Sequence, residues 1–148
     1  MPVKSVPDGY HTVTPYLVVK GVGRLMEFLA QAFDGKGSEC HRREDGTVMH
    51  AEVRIGDSVI MMGEAWGPHE PRPATLHLYV PDTDALYRRA LAAGATSLRE
   101  PENQFYGDRS AGVMDPCGNQ WWIGTRVEEV PPAEMARRMK EQAKKQGG

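Results

Sequence analysis

Residues 14–33 read TPYLVVKGVGRLMEFLAQAF, and residues 75–94 read TLHLYVPDTDALYRRALAAG. Each opens with β-branched and aromatic residues in alternation and then switches to apolar residues at helical spacing. Each is followed by a strand–turn–strand pattern: VMHAEVRIGDSVIMMG at 48–63 and SAGVMDPCGNQWWIG at 110–124. Thr14 lies as far from Met61 as Thr75 lies from Trp122. A small unit of this kind cannot bury its own sheet face alone, so the repeat implies two units that share a core.

Working outward, residues 1–11 form an irregular arm punctuated by Pro2, Pro7, Asp8 and Gly9. The first βαβββ module is expected at 12–66. It has strands at 12–19, 40–43, 48–55 and 58–62, and a helix that ends at Asp34-Gly35. In EAWGPHEPRP (64–73), Pro68, Pro71 and Pro73 stop both helix and ladder, and 67–73 is the linker. The second module spans 74–128, its helix capped by Asp82 or Thr83 and closed by Gly94. Its further strands are expected at 97–99, 110–114 and 120–124, and ENQFYGDR (102–109) is expected as a loop. The tail, 129–148, starts a helix at Pro131-Pro132, with Met135 and Met139 one turn apart and basic residues late in the segment. It reads as a helix docked on its own domain or on a sister subunit.

A net charge of −2 in 148 residues gives no electrostatic case for nucleic acid or membrane. No apolar run approaches the roughly 20 residues of a spanning helix. The expected location is cytoplasmic, with Cys40 and Cys117 as free thiols.

Alternation sorts the side chains. Met49, Ala51, Val53 and Ile55 take one face of their strand, and His50 and Glu52 the other. Leu76, Leu78 and Val80 oppose Thr75, His77 and Tyr79. Trp121 should pack under the helices and Trp122 should project into a hollow. The set expected in that hollow is Tyr16, Met61, Tyr79, Gln120, Trp122, His50, Glu52 and His77, joined by Arg109. Phe105 and Tyr106 on the loop are placed to close over a flat ligand, with Arg109 to meet an anionic group. His50, Glu52 and His77 supply two imidazoles and a carboxylate for acid–base work or a metal. Asp115 to Asn119, DPCGN, reads as a turn and no more.

The ordered set TPYLVVKGVGRLMEFLAQAF, DGTVMHAEVRIGDSVIMM, LHLYVPDTDALYRRALAAGA, NQFYGDRSAGVMDPCGNQWWIGT and VEEVPPAEM resembles the vicinal oxygen chelate superfamily, which includes glyoxalase I, bleomycin-resistance proteins and extradiol dioxygenases. Among these it is most similar to small bacterial proteins related to a phosphonate-operon protein, often labelled demethylubiquinone-methyltransferase-like. The resemblance implies an α+β fold of two βαβββ modules in a cup-shaped mixed sheet, and commonly a homodimer. It also sets metal ligands at the positions held here by Thr14, Met61, Thr75 and Trp122, and none of these suits a divalent ion. The expected function is therefore binding of a small aromatic or amphipathic molecule without the usual metal and with no cofactor. The alternative is a lyase, isomerase or dioxygenase that uses His50, Glu52 and His77 as a relocated metal site or acid–base set.

Overall fold

The computed structural model describes residues 3–147, except for the side chains of residues 39 and 40; the thiol expected at Cys40 lies outside what is described. The first module runs β1 (Tyr16–Val19), α1 (Val22–Phe33), β2 (Lys36–Arg42), β3 (Val48–Ile55) and β4 (Ser58–Glu64). The second runs β5 (Thr75–Tyr79), α2 (Thr83–Ala92), β6 (Thr96–Asn103), β7 (Asp108–Met114) and β8 (Gln120–Arg126), and α3 (Pro132–Gly147) follows. The strands form two four-stranded sheets, ordered β1-β4-β3-β2 and β5-β8-β7-β6. In each, the first strand pairs in parallel with the last, and the remaining pairs are antiparallel.

Sequence alternation places the core. Leu17, Val19, Ala51, Val53 and Met62 of the first sheet are buried, as are Ala111, Val113, Trp121 and Ile123 of the second. Helices α1 and α2 pack against each other. The Phe33 ring lies 5.3 Å from that of Trp121, so both sheets feed one continuous core. The polar faces are turned away from this shared interior. At the rim, Arg89 clamps Asp34 with contacts of 3.0 and 2.7 Å, joining α2 to the end of α1.

The helix starts differ. Asp82 accepts from the Ala85 amide at 3.1 Å and caps α2 locally. Helix α1 begins after Gly21, which sits at φ 101° and has no side chain to offer. The Glu64 carboxylate, from the end of β4, accepts from the Gly21 and Val22 amides at 2.9–3.1 Å instead.

Several expectations shift: β1 starts at Tyr16 rather than at residue 12, and β2 runs over Lys36–Arg42 rather than 40–43. The segment 102–109 is a hairpin rather than a loop, because β6 runs to Asn103 and β7 starts at Asp108. The DPCGN turn is a hydrogen-bond hub as well as a reversal. The buried Asp115 carboxylate accepts from the Cys117 amide at 2.8 Å, the Asn119 amide at 3.0 Å, Asn119 Nδ2 at 3.0 Å and Trp121 Nε1 at 2.8 Å.

Candidate functional site

On the first sheet's polar face, Tyr16, Met61 and Glu52 lie side by side, because Met61 is in register with both neighbours. Gly63 lies between Val18 and His50 and has no side chain, so the Tyr16 ring leans across it toward His50. Tyr16 Oη and His50 Nδ1 come within 3.3 Å, their rings 5.7 Å apart. The chain that leaves β4 then brings Trp66 and His69 over the same spot, their rings 5.7 Å apart and joined by a turn. Together with Val18, His41, Arg43, Met49 and Glu64, these residues line a hollow of about 520 Å³.

The second sheet's polar face is built on two glycines. Gly112 lets the Trp122 ring lie flat on the sheet, and Gly124 does the same for His77. The Arg99 guanidinium sits 4.9 Å from the Trp122 ring centroid and donates to Ser110 Oγ at 2.7 Å. Its Nε is buried with no hydrogen-bond partner among the described residues. Trp122 Nε1 donates to Gln120 at 3.3 Å. The His77 and Tyr79 rings meet at a tilt of 47°, 4.6 Å apart, and Tyr79 Oη donates to Asp108 at 3.3 Å. The Asp108 charge pushes the Tyr79 hydroxyl above its ordinary range, and desolvation adds to this.

The residues expected in one hollow are therefore divided. Tyr16 and His50 share the first hollow. Glu52 and Met61 line a smaller one, of about 350 Å³, with Thr14 and the N-terminal arm. His77, Tyr79, Gln120 and Trp122 belong to the other sheet. Among the described residues no three His, Cys, Asp or Glu side chains are grouped to hold a metal ion, so His50, Glu52 and His77 do not converge. The four positions at which the resemblance sets metal ligands do not fit one either. Two offer hydroxyls and one a thioether, and the indole of Trp122 spends its nitrogen as a donor.

Arg109 departs from expectation. Strand alternation puts it on the helix side of β7, where Asp84 in the first turn of α2 takes it in two contacts of 2.6 and 2.9 Å. It therefore sits on the side of β7 opposite the polar face, held by Asp84 and by Asn103, to which it donates at 3.2 Å. The Asp84 carboxyl is held below its ordinary range chiefly by that hydrogen bond. Phe105 and Tyr106 meet edge to face at 5.3 Å. The Phe105 carbonyl accepts from Arg138 of α3 at 3.0 Å, which pins the turn. Tyr106 shares a hollow with Tyr79.

Sequence reasoning missed Trp66, His69, His41 and Arg43. In the proline-rich joint the one local signal is an aromatic three residues ahead of a histidine, set among prolines that by themselves mark only a break between modules. Arg99 was missed because nothing local marks a cation that stacks on a tryptophan two strands away.

Comparison with known proteins agrees with this architecture. The profile of the glyoxalase/bleomycin resistance protein/dioxygenase superfamily matches residues 10–123. An uncharacterized protein of Mycobacterium bovis is 35% identical over 141 residues, covering 88% of this chain and 93% of its own. A counterpart in Mycobacterium tuberculosis strain H37Rv shows the same identity over 88% of this chain and 83% of its own. Among solved structures, TioX from Micromonospora sp. ML1 superposes with a TM-score of 0.68 at 20% identity, covering 79% of this chain and 99% of its own. A glyoxalase/bleomycin resistance protein/dioxygenase family enzyme from Burkholderia phytofirmans PsJN gives 0.60 at 20% identity, covering 76% and 95%. With paired βαβββ modules and a profile match over most of its length, the chain belongs to the glyoxalase/bleomycin resistance protein/dioxygenase superfamily.

Proposed function

We propose that this protein binds a small aromatic or amphipathic molecule on the polar face of its first sheet and holds it without a metal. The observation that carries this is the hollow of about 520 Å³ walled by Tyr16, Trp66, His50 and His69. Its volume falls in the range of small-molecule sites, roughly 300–1,000 Å³. Ring faces at its wall suit stacking on a flat ligand, and the imidazoles can donate or accept at its edge. Arg43 gives the rim an affinity for an anionic substituent.

Titrating naphthalene-2-carboxylate should quench tryptophan fluorescence, and Trp66→Phe should remove most of the change. Tyr16→Ala should weaken binding by about tenfold if one stacked ring is lost. Zinc, nickel or manganese should leave the melting temperature unchanged. A large rise with any one of them would overturn the metal-free reading, because a ligand of the folded state must stabilise it.

A second reading is favoured by one contact. Tyr16 and His50 form an acid–base couple inside the hollow, so a lyase or isomerase acting through that pair is the catalytic version of the same site. Turnover lost in His50→Gln with binding retained would select it.

We also place the protein in the cytoplasm, where an unpaired thiol such as Cys117 is the ordinary state, and as a homodimer. Strands β1 and β5 each lie at an edge of their sheet, and such edges invite a second copy. Light scattering that gives a monomer at micromolar concentration would exclude the dimer.

A further inference from the structure

We propose a second ligand site, independent of the first-sheet hollow: the far end of the second sheet's polar face takes a free zwitterion with an apolar side chain, its ammonium on Asp108 and its carboxylate on Arg126. The register of β7 and β8 sets these two residues directly opposite each other. Directly paired residues share a face with their Cβ atoms about 5 Å apart, and opposite charges so placed ordinarily join. Here they do not. Asp108 turns to Tyr79, and Arg126 reaches away to Glu129 at 3.8 Å. Arg126 and Glu129 are both largely exposed, so that contact holds the guanidinium weakly.

Between the two charges lies a hollow of about 730 Å³ lined by Tyr79, Val80, Pro81, Tyr106, Asp108 and Arg126. Asp108 is only 7% exposed. Among the described residues its side chain accepts one hydrogen bond, at 3.3 Å, and the rest of the carboxylate is open to the hollow rather than sealed in the interior. That bond is longer than a well-formed one between two oxygens. An ammonium group supplies the missing donors, and the faces of Tyr79 and Tyr106 attract it as well. A simple amine would meet Arg126 unfavourably, and a simple anion would meet Asp108. A free α-amino acid answers both, because a single carbon separates its two charges, and its apolar side chain can lie on Val80, Pro81 and the rings.

The test is calorimetric titration of the full-length protein with L-phenylalanine, L-phenylalaninamide and N-acetyl-L-phenylalanine. L-Phenylalanine should bind, and each capped analogue should bind about tenfold more weakly, the size of one lost charge-assisted contact. Arg126→Gln should weaken L-phenylalanine and close its gap to the amide. Asp108→Asn should close its gap to the N-acetyl compound. Arg126 is exposed, so its variant carries the test if the Asp108 variant does not fold. No binding of L-phenylalanine, equal affinity for all three compounds, or an Arg126→Gln protein that binds as before would each overturn the proposal. Loss of L-phenylalanine binding in Trp66→Phe would also overturn it, while leaving the first-sheet hollow intact. Loss of naphthalene-2-carboxylate binding alone would sink only that other reading.

Discussion

Replacing Asp115 tests whether the β7–β8 turn is held by its side-chain network. The carboxylate is 4% exposed, and its partners Asn119 and Trp121 are fully buried. Alanine there strands Trp121 Nε1, both nitrogens of Asn119 and the Cys117 amide. At about 1–3 kcal/mol for each buried donor left unmet, and with water reaching some of them, the loss should be roughly 3–6 kcal/mol. Asparagine is the sharper probe. Its oxygen, placed as Oδ1, still serves the Cys117 and Asn119 amides. Its NH₂ group then faces Trp121 Nε1 and Asn119 Nδ2, donor against donor. That should cost about 2–4 kcal/mol in urea unfolding. Adding Trp121→Phe removes one of the opposed donors, so the double variant should recover part of that penalty, with a coupling of about 0.5–3 kcal/mol. An Asp115→Asn protein within about 0.5 kcal/mol of the parent, the range of an ordinary surface change, would refute the hub. Strict additivity with Trp121→Phe would refute the indole contact in particular.

Gly112→Ala should be costly, because a Cβ there would lie 2.5–2.8 Å from three carbons of the Trp122 ring. Overpacking of this kind loses about 1–3 kcal/mol in urea and should also shift tryptophan emission. Gly63→Ala meets the exposed phenol end of Tyr16, which can swing outward, so the same assay should show a smaller loss. Glu134 is held down to about 2 by hydrogen bonds from Arg137 and then Arg138. A carboxyl lowered on folding contributes fully above its ordinary 4.5 and loses that contribution as the pH falls toward 2. Amide protection in α3 should therefore decline across that window, and Arg138→Ala should flatten the titration. Burial, followed by the nearby Asp115 charge, pushes the Cys117 thiol above its usual 9.0. Iodoacetamide near neutral pH should accordingly label the Cys117 peptide more slowly than a free thiol, as read by mass spectrometry.

The repeat was legible because it is written in local periodicity. Alternation separated Ala51 and Val53 from His50 and Glu52, and it sent Trp121 inward and Trp122 to the polar face. What alternation cannot convey is which faces meet. It reports the side of a strand, whereas the packing of α1 on α2 decides that the two polar faces look away from a common core. His50 and His77 therefore take the polar faces of two different sheets, and alternation carries no distance between them. Arg109 failed for a related reason. It sits one residue from Ser110 and Asp108, so it belongs to the opposite side of β7, where Asp84 is waiting. Trp66 and His69 carry no such signal because the proline-rich joint has no period to read, and the bridges Trp66–His69 and Val18–Arg72 fold it over the sheet.

The borrowed cap of α1 bears on the order in which the chain can assemble. Helix α2 carries its own start signal and can begin from a few adjacent residues. Helix α1 has none, and the carboxylate that completes its first turn arrives from Glu64, more than forty residues downstream. The cap of α1 is therefore complete only once β4 has docked beside β1. Although α1 emerges first from the ribosome, it is the helix whose start is satisfied from a distance.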